Sequence, residues 1–297
     1  MIRMVIHGGA GAVQTPPEKK EECETGLREA LAAGYGILET GGSAMDAVQA
    51  SVMVLEDCSY FNAGRGSVLN RRGRIEMEAG IMDGETRDAG AVTALKRTRN
   101  PIALARIVLE KTPHVFLSGS AAEQLARLHE LPMESPEYFI TEYRRRQWLA
   151  AGDTIQMDHM GPPGHPQTVG AVARDATGNL AAATSTGGMT NKLAGRIGDS
   201  AVPGAGVFAD NRVCAISSTG RGEYFLRTQA AMRVAMLVQY DRRSLPEACE
   251  IALAEIAELG GDGGFIAVSA DGEIAMPFNT SGMYRAYHGP EGEFISL

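Results

Sequence analysis

Apolar residues recur along this chain with two different periods, and the balance between them changes near residue 168. Before that point helical spacing dominates. Residues 18–39 read as a long helix closed by Gly41 and Gly42, with Gly34 and Gly36 as weak points inside it. Ser43 followed by Asp46 has the spacing of a capping box, and Val48, Val52 and Leu55 then recur at helical intervals as core positions of a helix over 44–56. Asn100 and Pro101 start a helix over 102–111. Further helices are predicted over 120–129 and 141–151, the last with Trp148 and Leu149 packing on one side. Short strands are predicted over 3–7, 74–77, 88–95 and 113–117, and residues 61–68 form a glycine-punctuated loop.

After residue 168 strands take over, at 168–173, 180–184, 206–209, 213–217, 265–269 and 274–277. Turn residues separate them, such as Asp210-Asn211 and Asp271-Gly272. Two helices interrupt, over 223–240 and 246–259, the second preceded by Ser244 and Glu247 in capping-box spacing. A helix-rich half followed by a strand-rich half, with hairpins in both, predicts an α+β fold of antiparallel sheets covered by helices.

Composition narrows the function. The chain has 297 residues, 44% of them hydrophobic, and a formal net charge of -8. That length supports one large domain or two small ones. The acidic balance argues against a nucleic-acid surface, which needs clustered Lys and Arg. The one dense basic run, Arg144-Arg145-Arg146, reads as a solvated helix face. No stretch approaches the roughly 20 apolar residues of a membrane span. The first residues are too short an apolar run for a signal peptide. Cys23, Cys58, Cys214 and Cys249 are scattered without a CxxC pair, which fits reduced thiols and a cytoplasmic setting. The glycines after the first strand, Gly8, Gly9 and Gly11, suggest a dinucleotide fingerprint. That reading fails because Gln14 stands where the third glycine belongs and Pro16 and Pro17 interrupt the helix; what remains is a tight turn.

The chemistry gathers around Thr168. Residues 161–166 are Gly and Pro except for His165, a composition that holds neither helix nor ladder hydrogen bonds. This tether meets a strand beginning on a hydroxyl. Attack of the Thr168 oxygen on the Gln167 carbonyl would convert the peptide to an ester, which water hydrolyses to free a new N-terminal Thr168. Its α-amine, with a reference pKa of roughly 7.7–8.0, is a suitable base for its own hydroxyl. From spacing alone, the ordinary strand-start reading of Thr168 is the stronger one. Arg196 and Asp199 form either a surface ion pair or a grip on the carboxylate and ammonium of an amino acid. Thr219 and Gly220 form either an oxyanion hole or a helix-capping turn.

Three segments decide between these readings: residues 168–173, residues 183–192 with Thr184-Ser185-Thr186-Gly187-Gly188, and Gly195-Arg196-Ile197-Gly198-Asp199. Together they resemble the plant-type L-asparaginase/isoaspartyl aminopeptidase family of N-terminal-nucleophile hydrolases. The likeness runs from His7-Gly8-Gly9 through Phe61-Asn62-Ala63-Gly64 to Pro277-Phe278-Asn279-Thr280. It implies a four-layer αββα sandwich and a single hydrolase domain over 1–297 that cuts itself at Gln167–Thr168 into subunits 1–167 and 168–297. It implies Thr168 as nucleophile, Thr186 as the hydroxyl that assists it, and Arg196 with Asp199 as the substrate clamp. Thr219 and Gly220 would stabilise the oxyanion, Gly222 would help hold the substrate, and Asn62 would lie close to the nucleophile. It implies no catalytic cofactor, a structural sodium ion in a loop bounded by Leu55 and Arg65 (residues 55–65), and a dimer of αβ units. The implied reactions are hydrolysis of β-aspartyl dipeptides and of L-asparagine.

Two positions depart from the family pattern. Gln167 replaces the usual Gly before the nucleophile, and Arg221 stands between Gly220 and Gly222 where Thr is common. Competing readings are a glycosylasparaginase or threonine aspartase of the same superfamily, and a non-processing relative that binds amino acids.

Overall fold

The computed structural model describes residues 1–11, 17–152, 155 and 168–297. Gln167, the Gly/Pro tether and the segment holding Gln14 and Pro16 lie outside the described residues. In the first half, β1 (Arg3–Gly11) is followed by α1 (Pro17–Glu39) and α2 (Ala44–Asp57). The hairpin of β2 (Met77–Asp83) and β3 (Ala89–Leu95) leads to α3 (Pro101–Lys111), β4 (Phe116–Ser118), α4 (Gly119–Leu128), α5 (Pro136–Phe139) and α6 (Glu142–Ala151). The second half holds β5 (Val169–Arg174), β6 (Leu180–Thr186), β7 (Val207–Asp210) and β8 (Cys214–Gly220). Then come α7 (Gly222–Thr228), α8 (Ala230–Gln239), α9 (Leu245–Glu258), β9 (Gly263–Ser269), β10 (Ile274–Ala275), β11 (Gly282–Gly289) and β12 (Gly292–Ser296).

Among the described residues the strands form two sheets. One has the order β12-β11-β1-β5-β6-β2-β3-β4, the other β10-β9-β8-β7. Pairing is antiparallel except between β3 and β4. The large sheet separates two cores, and strand periodicity sorts its residues between them. Val169, Ala171 and Ala173 of β5, with Ala181 and Ala183 of β6, join the core under α1, α2 and α3. Val172, Leu180 and Ala182 face the other way, into a core shared with the small sheet, α8 and α9. Residues 168, 184 and 186 have the parity of this second set, and so do 7 and 78 on their own strands. Alternation alone therefore places His7, Glu78, Thr168, Thr184 and Thr186 on the side facing the small sheet.

Several local expectations hold for the stated reasons. Ser43 caps α2, its oxygen accepting the Asp46 amide at 3.1 Å, and Ser244 accepts the Glu247 amide at the start of α9. Others need correction. Gly8 to Gly11 continue β1 rather than turning, with a register irregularity between His7 and Gly9, and the Phe61 ring packs so closely on Gly8 that a Cβ would stand 2.5 Å from it. Asn100 does not cap α3 through its side chain; the buried carboxylate of Glu56 accepts the Ile102 amide at 3.0 Å instead. Burial pushes the pKa of Glu56 up to about 8, so it is protonated near neutrality. The predicted helix over 223–240 breaks into α7 and α8 at Gln229, which adopts a left-handed φ of 50°. Arg144 is buried rather than solvated, donating to the Gly66 carbonyl at 2.6 Å, and Leu149 is exposed. The final hairpin, β11 with β12, was not anticipated by pattern.

Gly34 and Gly36 both survive inside α1, for opposite reasons. A Cβ on Gly34 would collide with Ser51 Oγ and stand 2.9 Å from the Ala47 carbonyl of α2, whereas one on Gly36 would meet nothing within 4 Å. Gly34→Ala is therefore expected to destabilise the fold by about 1–3 kcal/mol through overpacking. Gly36→Ala should stabilise it by about 0.5–1 kcal/mol through helix propensity. Denaturant titration of the two variants checks the opposite signs.

Candidate active site

The nucleophile candidate sits where β5 begins. β5 and β6 pair with Val169 opposite Ser185, so Thr168 is carried beside the end of β6. Thr168 donates from Oγ1 to Thr186 Oγ1 at 3.1 Å, and both residues are buried. Thr186 Oγ1 also accepts the Gly188 amide at 3.0 Å. With two donors converging on it, that oxygen is fixed in position while its own proton remains available to donate.

The turn after Thr186 is held from the loop that follows α2. Asn62 accepts the Gly187 amide on its backbone carbonyl and donates from Nδ2 to the Gly188 carbonyl at 2.7 Å. Its Oδ1 accepts the Val68 amide. Asn62 thus fixes the backbone on which Thr186 depends and lies outside the cavity lining. Thr219 is fully buried at the end of β8, its Oγ1 accepting the Ala10 amide at 3.2 Å. Its neighbour Gly220 reaches the cavity.

Thr168, Thr186, Arg196, Asp199 and Gly220 share one small cavity of about 10 Å³, together with Gly188, Met189 and Ser200. That is room for roughly one water. Arg196 is held flat by a two-pronged pair with Glu223: Nε donates at 2.9 Å and Nη2 at 3.0 Å. Asp199 is buried, and its Oδ2 has no hydrogen-bond partner among the described residues. Burial raises its pKa to about 7 against the opposing effect of Arg196, with Glu78 and Glu223 adding to the rise. Gly222 lies against both, since a Cβ there would stand 2.6 Å from Asp199 Oδ1 and 2.9 Å from Arg196 Nη2. Arg221 does not line the cavity; its Nε lies 3.1 Å from Asp262 Oδ1.

Sequence reasoning missed the groups behind these. Glu78 and Lys192 are both 2% exposed. Lys192 Nζ donates to the Glu76 carbonyl at 2.6 Å, and burial lowers its pKa to about 8. Glu76 and Glu78, two apart in a strand-like stretch, share one face; that pair of acids was the available signal. On the other side of Thr168, His7 Nε2 lies 2.9 Å from Ser217 Oγ, and Ser217 Oγ lies 2.7 Å from Thr184 Oγ1. Thr184 uses its only proton on the Gly206 carbonyl, so Ser217 donates to Thr184 and accepts from His7. This assigns the proton to Nε2. Burial keeps the ring neutral, with a pKa lowered to about 3. Among the described residues no group of three or more His, Cys, Asp or Glu is arranged to hold a metal ion, and no helix is long and apolar enough to cross a membrane.

A hydroxyl pair beside a fixed guanidinium and a carboxylate with one free oxygen is chemically able to seat an amino-acid-like ligand against a hydroxyl. Sequence comparison agrees in kind. The family model described as Asparaginase matches residues 1–294. The isoaspartyl peptidase of Salmonella typhimurium is 47% identical over 294 residues, covering 96% of this chain and 94% of its own. The isoaspartyl peptidase of Escherichia coli is 48% identical over 296 residues, covering 96% and 92%. The isoaspartyl peptidase/L-asparaginase of Danio rerio is 43% identical over 284 residues, covering 93% and 89%. With a match over nearly its whole length and these hydroxyl and charge positions in one cavity, the chain belongs to the asparaginase family.

Proposed function

We propose that this protein is a self-processing threonine amidohydrolase that hydrolyses β-aspartyl dipeptides and L-asparagine, releasing L-aspartate. The observation that carries the reading is the 3.1 Å contact of Thr168 with Thr186 at the wall of a cavity that also presents Arg196 and Asp199, whose Oδ2 has no hydrogen-bond partner among the described residues. The names of the relatives support the same substrate class. In this reading the domain is a four-layer αββα sandwich, supported by two facing sheets with helices packed outside each. Cleavage at Gln167–Thr168 divides it into 1–167 and 168–297.

The chemistry runs on the chain's own groups. The freed Thr168 amine takes the proton from Oγ1 as Oγ1 attacks the side-chain carbonyl of the substrate. The Thr219-Gly220 segment faces the developing oxyanion. Collapse of the tetrahedral species transfers the proton to the leaving ammonia or peptide amine and leaves a β-aspartyl ester on Thr168. Water, deprotonated by the same amine, hydrolyses the ester and restores Thr168. Arg196 receives the substrate α-carboxylate and Asp199 its ammonium, which fixes the β-carbonyl over the nucleophile.

A structural sodium ion fits the loop over 55–65 in donor type. The carbonyl oxygens of Ser59 and Phe61 both turn toward Gly66, so the loop offers backbone oxygens of the hard type that a sodium ion takes. It would brace the loop carrying Asn62 and takes no part in any step. The working assembly in this reading is a dimer of αβ units, with no nucleic-acid partner.

Two outcomes test the proposal. Intact-mass measurement should find the wild-type chain cut before Thr168, and Thr168→Ala uncut with activity down by about 10³-fold or more. A cut, active Thr168→Ala protein would refute the nucleophile. A panel of L-asparagine, β-aspartyl dipeptides and glycosylated asparagine then separates this activity from that of a glycosylasparaginase. The second outcome concerns pH. Asp199 must be ionised to hold an ammonium, and its pKa is raised to about 7, so its contribution is present above that pH and lost on acidification. The KM for L-asparagine should rise by about tenfold per unit below pH 7. Asp199→Asn should start with a high KM and lose this dependence in a steady-state pH series.

A further inference from the structure

The substrate clamp proposed above lies on one loop, residues 195–199, and the nucleophile lies on another element. Their relative placement needs a physical link. Glu78 of β2 is in register with Thr186 of β6, directly across the ladder. It is 2% exposed. Both of its carboxylate oxygens lie 3.0 Å from the Gly198 amide, which donates to them. Its Oε1 is 3.8 Å from Arg196 Nη1. A Cβ on Gly198 would stand 2.7 Å from Glu78 Oε1 and 2.6 Å from Arg196 Nη1, so the glycine is what lets the two charged groups meet over its backbone. Glu223 holds the opposite edge of the guanidinium through Nε and Nη2. Arg196 is thus gripped on two edges, by an acid from the small-sheet side and by one from the strand that pairs with Thr186.

We propose that Glu78 is a positioning residue for the hydrolysis. Its carboxylate ties the Arg196-bearing loop to the strand paired with Thr186, and so keeps the Arg196 guanidinium presented to the substrate α-carboxylate. Glu78 is not itself part of the cavity lining, and acts through Arg196 and Gly198. Loss of its charge therefore weakens substrate holding in the ground state and the transition state alike, which raises KM and leaves kcat in place.

The inference rests on the hydrolase reading, and wild-type protein is assayed first so that the two can fail separately. An inactive wild type overturns that reading; an active one makes the following comparison decisive. Full-length Glu78→Gln keeps the size of the side chain and removes its charge, while Glu78→Asp keeps the charge and withdraws it by one methylene. Self-cleavage is followed by intact mass, and kcat and KM are measured with L-asparagine. Expected for Glu78→Gln are normal cleavage, a KM raised about tenfold or more and a kcat within about threefold of wild type. Glu78→Asp should show a smaller rise in KM with the same kcat. Unchanged KM in Glu78→Asp and Glu78→Gln overturns the proposal, as does a fall in kcat at constant KM, which would place the damage in the nucleophile frame. If Glu78→Gln does not fold, Glu78→Asp decides on the same criterion, a rise of about threefold in KM at constant kcat supporting the role.

Discussion

The pairing of β5 with β6 is the constraint on which the site depends. Because Val169 is bound opposite Ser185, Thr168 has one place to go, beside Thr186. A slip of one residue in β5 would turn Thr168 away from Thr186 into the helix-covered core and bring Val169 and Ala171 to the face of the small sheet. The register is protected by burial on both faces of both strands. It is further pinned by Gly170, where any side chain would run into Ser217 and His7. The His7-Ser217-Thr184 chain of hydrogen bonds then fastens this ladder to the small sheet, so Thr168 rests on two sheets rather than one.

The electrostatics of the site are costly to the fold. Glu76, Glu78, Asp199 and Glu223 stand around Arg196 and Lys192, and most of these groups are withdrawn from water. Burying charges costs several kcal/mol per ion, and pairing only partly offsets that loss. An acid-rich cluster with one carboxylate oxygen left unpaired is poorly explained as a stabilising device. It is consistent with the proposed receptor role, in which an amino-acid ammonium would supply the missing cation. The raised pKa of Asp199 and the lowered pKa of Lys192 are two signs of the same desolvation.

Much of this was legible from sequence because the signals were local. Ser43 with Asp46 carries its meaning within a few residues, while Thr186, Arg196 and Asp199 were singled out by the likeness of their segments to a family and are brought to one cavity by the fold. What escaped depended on distant partners. Asn100 looked like a cap, but Glu56 of a different helix does the work. Arg144 looked like part of a solvated run, but the Gly66 carbonyl draws it inward. The helix over 223–240 kept its apolar period through Gln229, where a left-handed residue breaks it without Gly or Pro to give warning. Glu78 offered only its spacing from Glu76, because the amide it binds lies 120 residues away.

The strand order carries a consequence of a different kind. In the large sheet β1 lies between β11 and β5, and β6 lies against β2, so segments from before and after Thr168 alternate across it. A cut before Thr168 would leave two chains interleaved like the fingers of clasped hands, with ladders joining them at β11–β1, β1–β5 and β6–β2. The native state would feel the lost bond very little, but the unfolded state would become two molecules. Refolding would turn from a first-order event into a second-order one that slows on dilution. The mature protein would then be hard to remake once unfolded, and the more so the more dilute it is.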